Sequence, residues 1–186
     1  KSNNSVNPVP TPKSQIDIVA TQNSTTVWIT PRCNVVGHLA GITYSINLNS
    51  GQSYNIENVT AYTSISGQNL SGTIVYSDKP ISVTVTDDSV NGVSGCYDLM
   101  GDQIVPVEVL GNEYIVNKGA LYASENEGAY VVATENFTQL TVNDGTITTT
   151  YLNKGDTYFY KITQLLTHFF GDKPIYVIHG SGFGCE

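Results

Sequence analysis

The chain has few charged side chains, and this scarcity excludes one large class of partners. Charged residues make up 13% of its 186 residues, and only 8 residues are Lys or Arg. Binding to a nucleic-acid backbone requires clustered basic side chains, so we do not expect nucleic acid as a partner. The net charge of −8 favours neutral or cationic partners instead.

Long hydrophobic runs are also missing. No apolar run approaches the roughly 20 residues that span a bilayer, so we expect no membrane insertion by this segment. The first residues, KSNN, lack the apolar core of a signal peptide. We therefore expect either that a targeting segment has been removed or that the chain is part of a longer polypeptide, whose neighbouring domains would then be partners.

Cysteine is scarce as well, since Cys33, Cys96 and Cys185 are the only three. They form neither a CxxC pair nor the Cys/His spacing of a zinc site, so we expect no structural metal of that kind. One disulfide and one free thiol is the simplest arrangement. The spacing alone leaves all three pairings open.

Uncharged polar and aromatic residues are abundant, and their pattern is typical of β-strands. Hydrophobic residues make up 40% of the chain and aromatic residues 10%, including 12 Tyr. Short alternating runs between turn residues, such as TTVWIT (25–30) and ITYSINL (42–48), predict strands in an all-β protein. Residues 1–14 are polar and rich in proline, which predicts an extended tail or linker.

Three sequence blocks occur twice in the same order. The pairs are IVATQNST (18–25) with VVATENFT (131–138), LNSGQSY (48–54) with LNKGDTY (152–158), and DKPISV (78–83) with DKPIYV (172–177). This duplication predicts an antiparallel β-sandwich-like module built from two duplicated halves. We assign residues 15–94 and 113–186 to the halves, with the second continuing beyond the fragment, and residues 95–112 to a connector.

The third block forms a bend before an alternating apolar run in each copy. Its residues are Asp78, Lys79 and Pro80 in the first copy and Asp172, Lys173 and Pro174 in the second. We interpret the lysines as charges that protect sheet edges rather than as ligand contacts. Cys96 and Cys185 each follow a glycine after their own copy of this strand, which favours a disulfide between them. Residues 163–170, TQLLTHFF, have apolar spacing that one or two helical turns would explain. We interpret them as a variable crossover loop.

Four carboxylates near the end of the first half are candidate ligands for a cation. Asp87 and Asp88 end a predicted strand, and Asp98 and Asp102 follow in the next loop. Carboxylate oxygens are the ligands that Ca²⁺ prefers, although this is not EF-hand spacing. The alternative, which we favour, is that these side chains cap turns, with Asp98 as the N-cap of one helical turn. No other cofactor is expected.

Nothing in the chain forms a recognisable catalytic set. His38, His168 and His179 are interpreted as structural residues, and no G-x-S-x-G nucleophile motif occurs. Most tyrosines are expected to pack across strands, although an exposed cluster would stack on sugars or protein surfaces. Trp28, in TTVWIT, is interpreted as a core residue.

The repeated blocks, with GCYDLMGDQIVP (95–106) and GFGCE (182–186), resemble the family named for the N-terminal domain of the IgG Fc-binding protein. The bacterial members it is similar to occur in large secreted and surface proteins of Bacteroidetes, including gliding-motility-associated adhesins. The resemblance covers roughly residues 15–186. It implies an extracellular module for adhesion or recognition and does not identify the ligand.

We therefore expect a non-catalytic recognition module at the cell surface. A rigid sheet scaffold would hold loops 37–41, 60–67 and 163–170 against a protein or glycan ligand. Three alternatives remain open, namely a carbohydrate-binding module that uses surface Tyr, a structural spacer in a long adhesin, and an accessory domain of a hydrolase. The hydrolase alternative requires Asp87 or Asp98 to approach His38 or His179.

Overall fold

The computed structural model describes residues 13–59, 69–90, 98–119 and 126–183 and confirms the all-β prediction. Among these residues the only helical element is one 3₁₀ turn, Val107–Val109. No helix of the described ranges has the length and apolar character needed to cross a membrane. The chain divides into two compact units, which we call unit 1 and unit 2 in chain order.

The described residues of unit 1 form seven strands. They are β1 (Ser14–Ala20), β2 (Thr25–Thr30), β3 (Tyr44–Leu48), β4 (Ser53–Glu57), β5 (Ile74–Ser77), β6 (Ile81–Val90) and β7 (Asp98–Gln103). In β1, Ile16 and Ile18 are buried, whereas Gln15 and Asp17 are more exposed. This period of two is the pattern of a strand that buries one face.

Two antiparallel sheets form unit 1, one with the order β4-β1-β6-β7 and one with the order β3-β2-β5. Ile18 lies opposite Val83 in the first sheet, and Val27 lies opposite Ile46 in the second. All four side chains belong to one hydrophobic cluster. The two sheets therefore cover each other's apolar faces as a small sandwich.

Seven strands are also present in the described part of unit 2. They are β8 (Glu113–Asn117), β9 (Asn126–Ala133), β10 (Thr138–Asn143), β11 (Ile147–Leu152), β12 (Thr157–Lys161), β13 (Leu166–Gly171) and β14 (Ile175–Phe183). Its sheets have the orders β12-β9-β14 and β11-β10-β13-β8. Val131, Leu140 and Phe169 are fully buried in its single core cluster. Unit 2 is thus a second sandwich with its own core.

The two units repeat one strand order, which confirms the predicted duplication. Sheets β4-β1-β6 and β3-β2-β5 of unit 1 correspond to β12-β9-β14 and β11-β10-β13 of unit 2. Each unit then adds one strand at a different place. Strand β7 pairs with β6 in unit 1, whereas β8 pairs with β13 in unit 2.

The bend Asp78-Lys79-Pro80 fastens three turns of unit 1 together. Asp78 Oδ1 accepts a hydrogen bond of 2.8 Å from the amide of Thr26. Lys79 Nζ donates to the carbonyl oxygens of Asn23 and Ser24 at 2.6 and 3.0 Å. Asn23 in turn accepts from the amide of Ser50 in the β3–β4 turn. The bend therefore ties the β1–β2 turn to its neighbours through side-chain bonds to the backbone.

Unit 2 repeats these bonds at the matching positions. Asp172 Oδ1 accepts from the amide of Gln139 at 2.8 Å, and Lys173 Nζ donates to the carbonyl oxygen of Asn136 at 2.5 Å. Asn136 accepts from the amide of Lys154. The bend lysines thus bind specific carbonyl oxygens, a more specific role than the protection of edges that the sequence suggests.

Two helical expectations are wrong. Residues 163–170 include most of β13, which pairs with both β8 and β10, so they form neither helical turns nor a crossover loop. Thr167 and Phe169 are buried while Leu166 is exposed, so burial alternates with a period of two. The adjacent apolar residues Leu165 and Leu166 hide this alternation in the sequence. Asp98 begins strand β7 rather than a helical turn, and this strand lies within the segment assigned as a connector.

Candidate functional site

The four carboxylates proposed for Ca²⁺ lie on β6 and β7 or at their ends. Asp87 Oδ2 accepts a hydrogen bond of 2.7 Å from the hydroxyl of Ser14. Asp102 lies opposite Val85 in the β6–β7 pair and accepts from the amide of Gln103. The side chains of Asp88 and Asp98 lie outside the described residues. Among the described side chains, no group of three or more His, Cys, Asp or Glu is arranged to hold a metal ion.

The predicted disulfide between Cys96 and Cys185 lies outside the described residues. Cys33 is described, and it is a free thiol that is buried in the core of unit 1. Burial raises the pKa of this thiol, so it stays protonated and behaves as a small apolar side chain.

The three histidines occupy three different environments. His168 Nε2 lies 2.7 Å from Glu113 Oε1 on the exposed face of β13 and β8. His179 Nε2 lies 2.6 Å from Glu127 Oε1 in unit 2. His38 stacks on a tyrosine of unit 1, as described below.

Glu127 is a buried carboxylate that the sequence analysis did not single out. Only 2% of its surface is exposed, and its two oxygens accept from the amide of Gly119 at 2.9 and 3.0 Å. Hydrogen bonds to the Glu127 carboxylate thus hold both Gly119 and the His179 side chain against strand β9. Because buried carboxylates require such partners, this set is explained by the fold alone.

The clearest difference between the units is the connection between their second and third strands. In unit 2, residues 144–146 make a tight turn between β10 and β11. In unit 1, the matching β2–β3 connection is a longer loop, residues 31–43, which includes Gly37 and Gly41 at positive φ. This loop folds back on strand β4, where the amide of Val36 donates to the carbonyl oxygen of Glu57. We call residues 31–43 the unit 1 loop.

A cleft lies between the unit 1 loop and strands β3 and β4. Its volume is about 180 Å³, and its lining includes Val35 and Val36 from the loop, Tyr44 from β3, and Tyr54 and Glu57 from β4. Glu57 Oε2 is 2.7 Å from Lys13 Nζ, and both side chains are partly exposed. The cleft thus combines aromatic and aliphatic walls with a carboxylate, the lining that orients ligands in binding sites.

Two aromatic contacts hold the tyrosines of the cleft in place. The ring of His38 stacks on Tyr44 with centroids 3.4 Å apart and an interplanar angle of 1°. Tyr54 meets Tyr44 edge to face at 6.5 Å. The unit 1 loop therefore fixes one side of the cleft by this ring stack in addition to its backbone hydrogen bonds to Glu57 and Val59.

The hydroxyl of Tyr44 is buried and has no hydrogen-bond partner of normal geometry in the described part of the chain. Burial, and after it the nearby Tyr54 hydroxyl, raise the pKa of the Tyr44 phenol, which therefore stays neutral. In unit 2, by contrast, the Tyr160 hydroxyl donates to Asp144 Oδ2 at 2.8 Å in the tight turn. A buried polar group without a partner is uncommon, and Thr167 Oγ1 in unit 2 is another such group among the described residues.

A second aromatic group lies on the outer face of the β3-β2-β5 sheet. Trp28 and Tyr76 are cross-strand neighbours with ring centroids 5.2 Å apart, and 64% of Tyr76 is exposed. The expectation that Trp28 belongs to the core is therefore wrong. In TTVWIT the buried positions are Thr25, Val27 and Ile29, so the alternation places Trp28 on the opposite face.

The chain matches a protein-family model over nearly its whole length. A model of the family described as IgGFc binding protein matches residues 2–184. Searches of curated proteins and of solved structures give no significant match. The matched range includes both units and the unit 1 loop, and it covers far more than half of the sequence. The chain therefore belongs to the IgGFc binding protein family.

Proposed function

We propose that the chain is a non-catalytic recognition module that binds a protein ligand through the cleft of unit 1. The observation that carries this proposal is the unit 1 loop, which stands where unit 2 has a tight turn and which lines an aromatic cleft. The family description, IgGFc binding protein, names a protein ligand and supports the same class of function.

The size and chemistry of the cleft favour one basic side chain of the ligand. Its volume of about 180 Å³ is below the roughly 300–1,000 Å³ of small-molecule pockets. His38 covers one face of Tyr44, but the ring of Tyr54 suits the aliphatic stem and cationic head of Lys or Arg. Glu57 already binds the ammonium group of Lys13, and the net charge of −8 attracts basic ligands.

A peptide display library screened against the full chain tests this proposal, with an IgG Fc fragment as the first single protein probe. We expect the enriched peptides to share a Lys or Arg. The variant Tyr54→Ala should weaken their binding about tenfold or more, whereas Trp28→Ala should not. Binding that Tyr54→Ala leaves unchanged, in a variant with native circular dichroism, overturns the assignment of the cleft.

The pair of half-buried Trp28 and exposed Tyr76 favours carbohydrate as a second candidate ligand. Two neighbouring rings on the outer face of the sheet form a surface on which sugar rings stack. A glycan array separates the two candidates. Sugar binding that is lost in Trp28→Ala but kept in Tyr54→Ala would support the second candidate instead of the first.

The setting we propose is a larger secreted or surface protein of a bacterium, of the adhesin type found in gliding Bacteroidetes. This part of the proposal rests on the repeated blocks and on the connector sequence described above. Deletion of the module from the full-length protein, with cell attachment and motility as the readouts, tests it. Unchanged attachment and motility would exclude the adhesive role.

A further inference from the structure

Strand β5 of unit 1 and strand β13 of unit 2 occupy matching positions but have different numbers of neighbours. Strand β13 lies between β10 and β8. Among the described residues, β5 pairs only with β2 and is the last strand of its sheet. The position that β8 occupies in unit 2 therefore has no described counterpart in unit 1.

The hydrogen-bond pattern defines which groups of β5 face away from β2, at the edge that has no second neighbour among the described residues and that we call the open edge. The amide of Asp78 donates to the carbonyl oxygen of Thr26, so alternate residues of β5 bond to β2. By this alternation the amides of Val75 and Ser77 point away from β2. In unit 2 the residue that matches Ser77 is Gly171, and its amide donates to Asn112 beside β8.

The burial of the matching side chains supports the same comparison. Phe169 of β13 is fully buried and lies opposite Tyr114 of β8, whereas Val75, its counterpart on β5, is only half-buried. Strand β8 adds two side chains to the same core cluster, Val116, which is buried, and Tyr114, which packs against it. Glu113 and Asn117, in alternation with them, are exposed.

We propose that the open edge of β5 binds an extended segment of a partner polypeptide, which adds one antiparallel strand to the β3-β2-β5 sheet. The segment carries two apolar side chains two positions apart, separated by a residue that faces solvent, as β8 does. Its backbone pairs with Val75 and Ser77, and its apolar side chains cover Val75. This is a surface separate from the cleft and independent of its ligand.

The probe is a synthetic peptide with the sequence of residues 111–118, GNEYIVNK, added to the full chain. Amide exchange measured by NMR is expected to slow about tenfold or more at Val75 and Ser77 with saturating peptide. N-methylation of the peptide at the positions of Tyr114 and Val116 removes the amides that face the edge. This change should weaken binding about tenfold or more.

The matched control is the same peptide N-methylated at the position of Ile115, whose amide points away from the partner strand. It should bind as the unmodified peptide does. Equal losses from both modified peptides, or no binding of the unmodified one, overturn the proposal. Slow exchange at Val75 and Ser77 in the free chain at low concentration would show that the chain covers its own edge. Slow exchange that appears only at high concentration would assign the edge to a second copy.

Discussion

Units 1 and 2 share the same interlocked turns but differ in what lies around them. The bonds from the bend to the β1–β2 turn recur in unit 2 from Asp172 and Lys173 at nearly the same lengths. The connections after β2 and β10 have no such likeness, since one is a loop over a cleft and the other a tight turn. Sequence repetition therefore marks the framework, and divergence between the units marks the candidate binding surfaces.

The shared turns have a physical reason to stay alike. Ser24 and Phe137, at matching positions, both have positive φ, a conformation that is unfavourable for residues other than glycine. The amide of Ser24 donates to Asn49 Oδ1, and that of Phe137 donates to Asn153 Oδ1. The side chains of Asn49 and Asn153 thus compensate the backbone strain in their own units, which explains why Asn occurs at both matching positions.

The largest expected difference between the units concerns β13 and β5. Phe169→Ala should destabilise unit 2 by about 3–5 kcal/mol, because it leaves a cavity in a closed core. Val75→Ala should destabilise unit 1 by only about 1 kcal/mol, since Val75 is half-buried. Denaturation followed by amide exchange within each unit measures both effects. A Val75→Ala effect near 3 kcal/mol would mean that the core beside β5 is closed too.

The bends should give equal effects in the two units. Asp78→Ala and Asp172→Ala each remove the acceptor of a backbone amide, and each should destabilise its unit by about 1–2 kcal/mol. Trp28, the only tryptophan, reports on unit 1 by fluorescence, and amide exchange reports on unit 2.

The matched controls for the bends are Asp78→Asn and Asp172→Asn, which keep an oxygen acceptor and should lose less stability. If one Asp→Ala variant loses several times more stability than the other, the two bends share a geometry but contribute differently to the free energy of unfolding.

The hydroxyl bond of Tyr160 predicts a pH effect that belongs to unit 2. Its hydrogen bond to Asp144, and after that burial, raise the pKa of Tyr160 from its usual value of 10 to about 12. The same bond lowers the pKa of Asp144. It therefore stabilises unit 2 fully while Asp144 is ionised and the pH is below 10, and this stabilisation is lost as the pH rises from 10 to 12. Asp144→Ala should move the Tyr160 titration back towards 10, as measured by tyrosinate absorbance. An unchanged titration curve would contradict this origin of the shift.

Much of the fold could be predicted from the sequence because strands with one buried face have a period of two. The duplicated blocks predict two related halves of one sandwich-like module, whereas each unit is a sandwich with its own core cluster. The DKPI bends begin strands as expected. The prediction failed where local spacing and sheet pairing disagree. Leu165 and Leu166 imitate a helical spacing, but hydrogen bonds from β8 and β10 decide the conformation of residues 166–171.

The candidate site was less accessible to prediction because it depends on contacts between distant residues. Loop 37–41 was expected to face a ligand, but no pattern indicated that His38 would stack on Tyr44. Trp28 was misplaced although TTVWIT alternates, because a large apolar residue was assumed to be buried. The absence of any short turn signal between Pro31 and Thr43, compared with Asn143-Asp144-Gly145 in the other unit, was the available clue.

The smallest expected effect on stability is also the sharpest test of the cleft. Tyr44→Phe removes a buried hydroxyl that has no partner of normal geometry, so it should change the stability of unit 1 by less than about 0.5 kcal/mol or increase it. Tyr160→Phe breaks a formed bond and should destabilise unit 2 by more. Trp28 fluorescence and unit 2 amide exchange measure the two changes.

Peptide binding by Tyr44→Phe is a second measurement that tests the role of this hydroxyl. This oxygen is closed to solvent in the free chain, so a ligand can hydrogen-bond to it only after displacing the unit 1 loop. For such a ligand, Tyr44→Phe should weaken the peptides selected on the native chain by about fivefold or more while leaving stability intact. Tyr160→Phe is the control, because its hydroxyl is already used within unit 2 and should not affect those peptides. A loss of stability in Tyr44→Phe as large as in Tyr160→Phe would mean that the hydroxyl has a partner within the chain. Unit 1 would then resemble unit 2 more closely than its longer loop indicates.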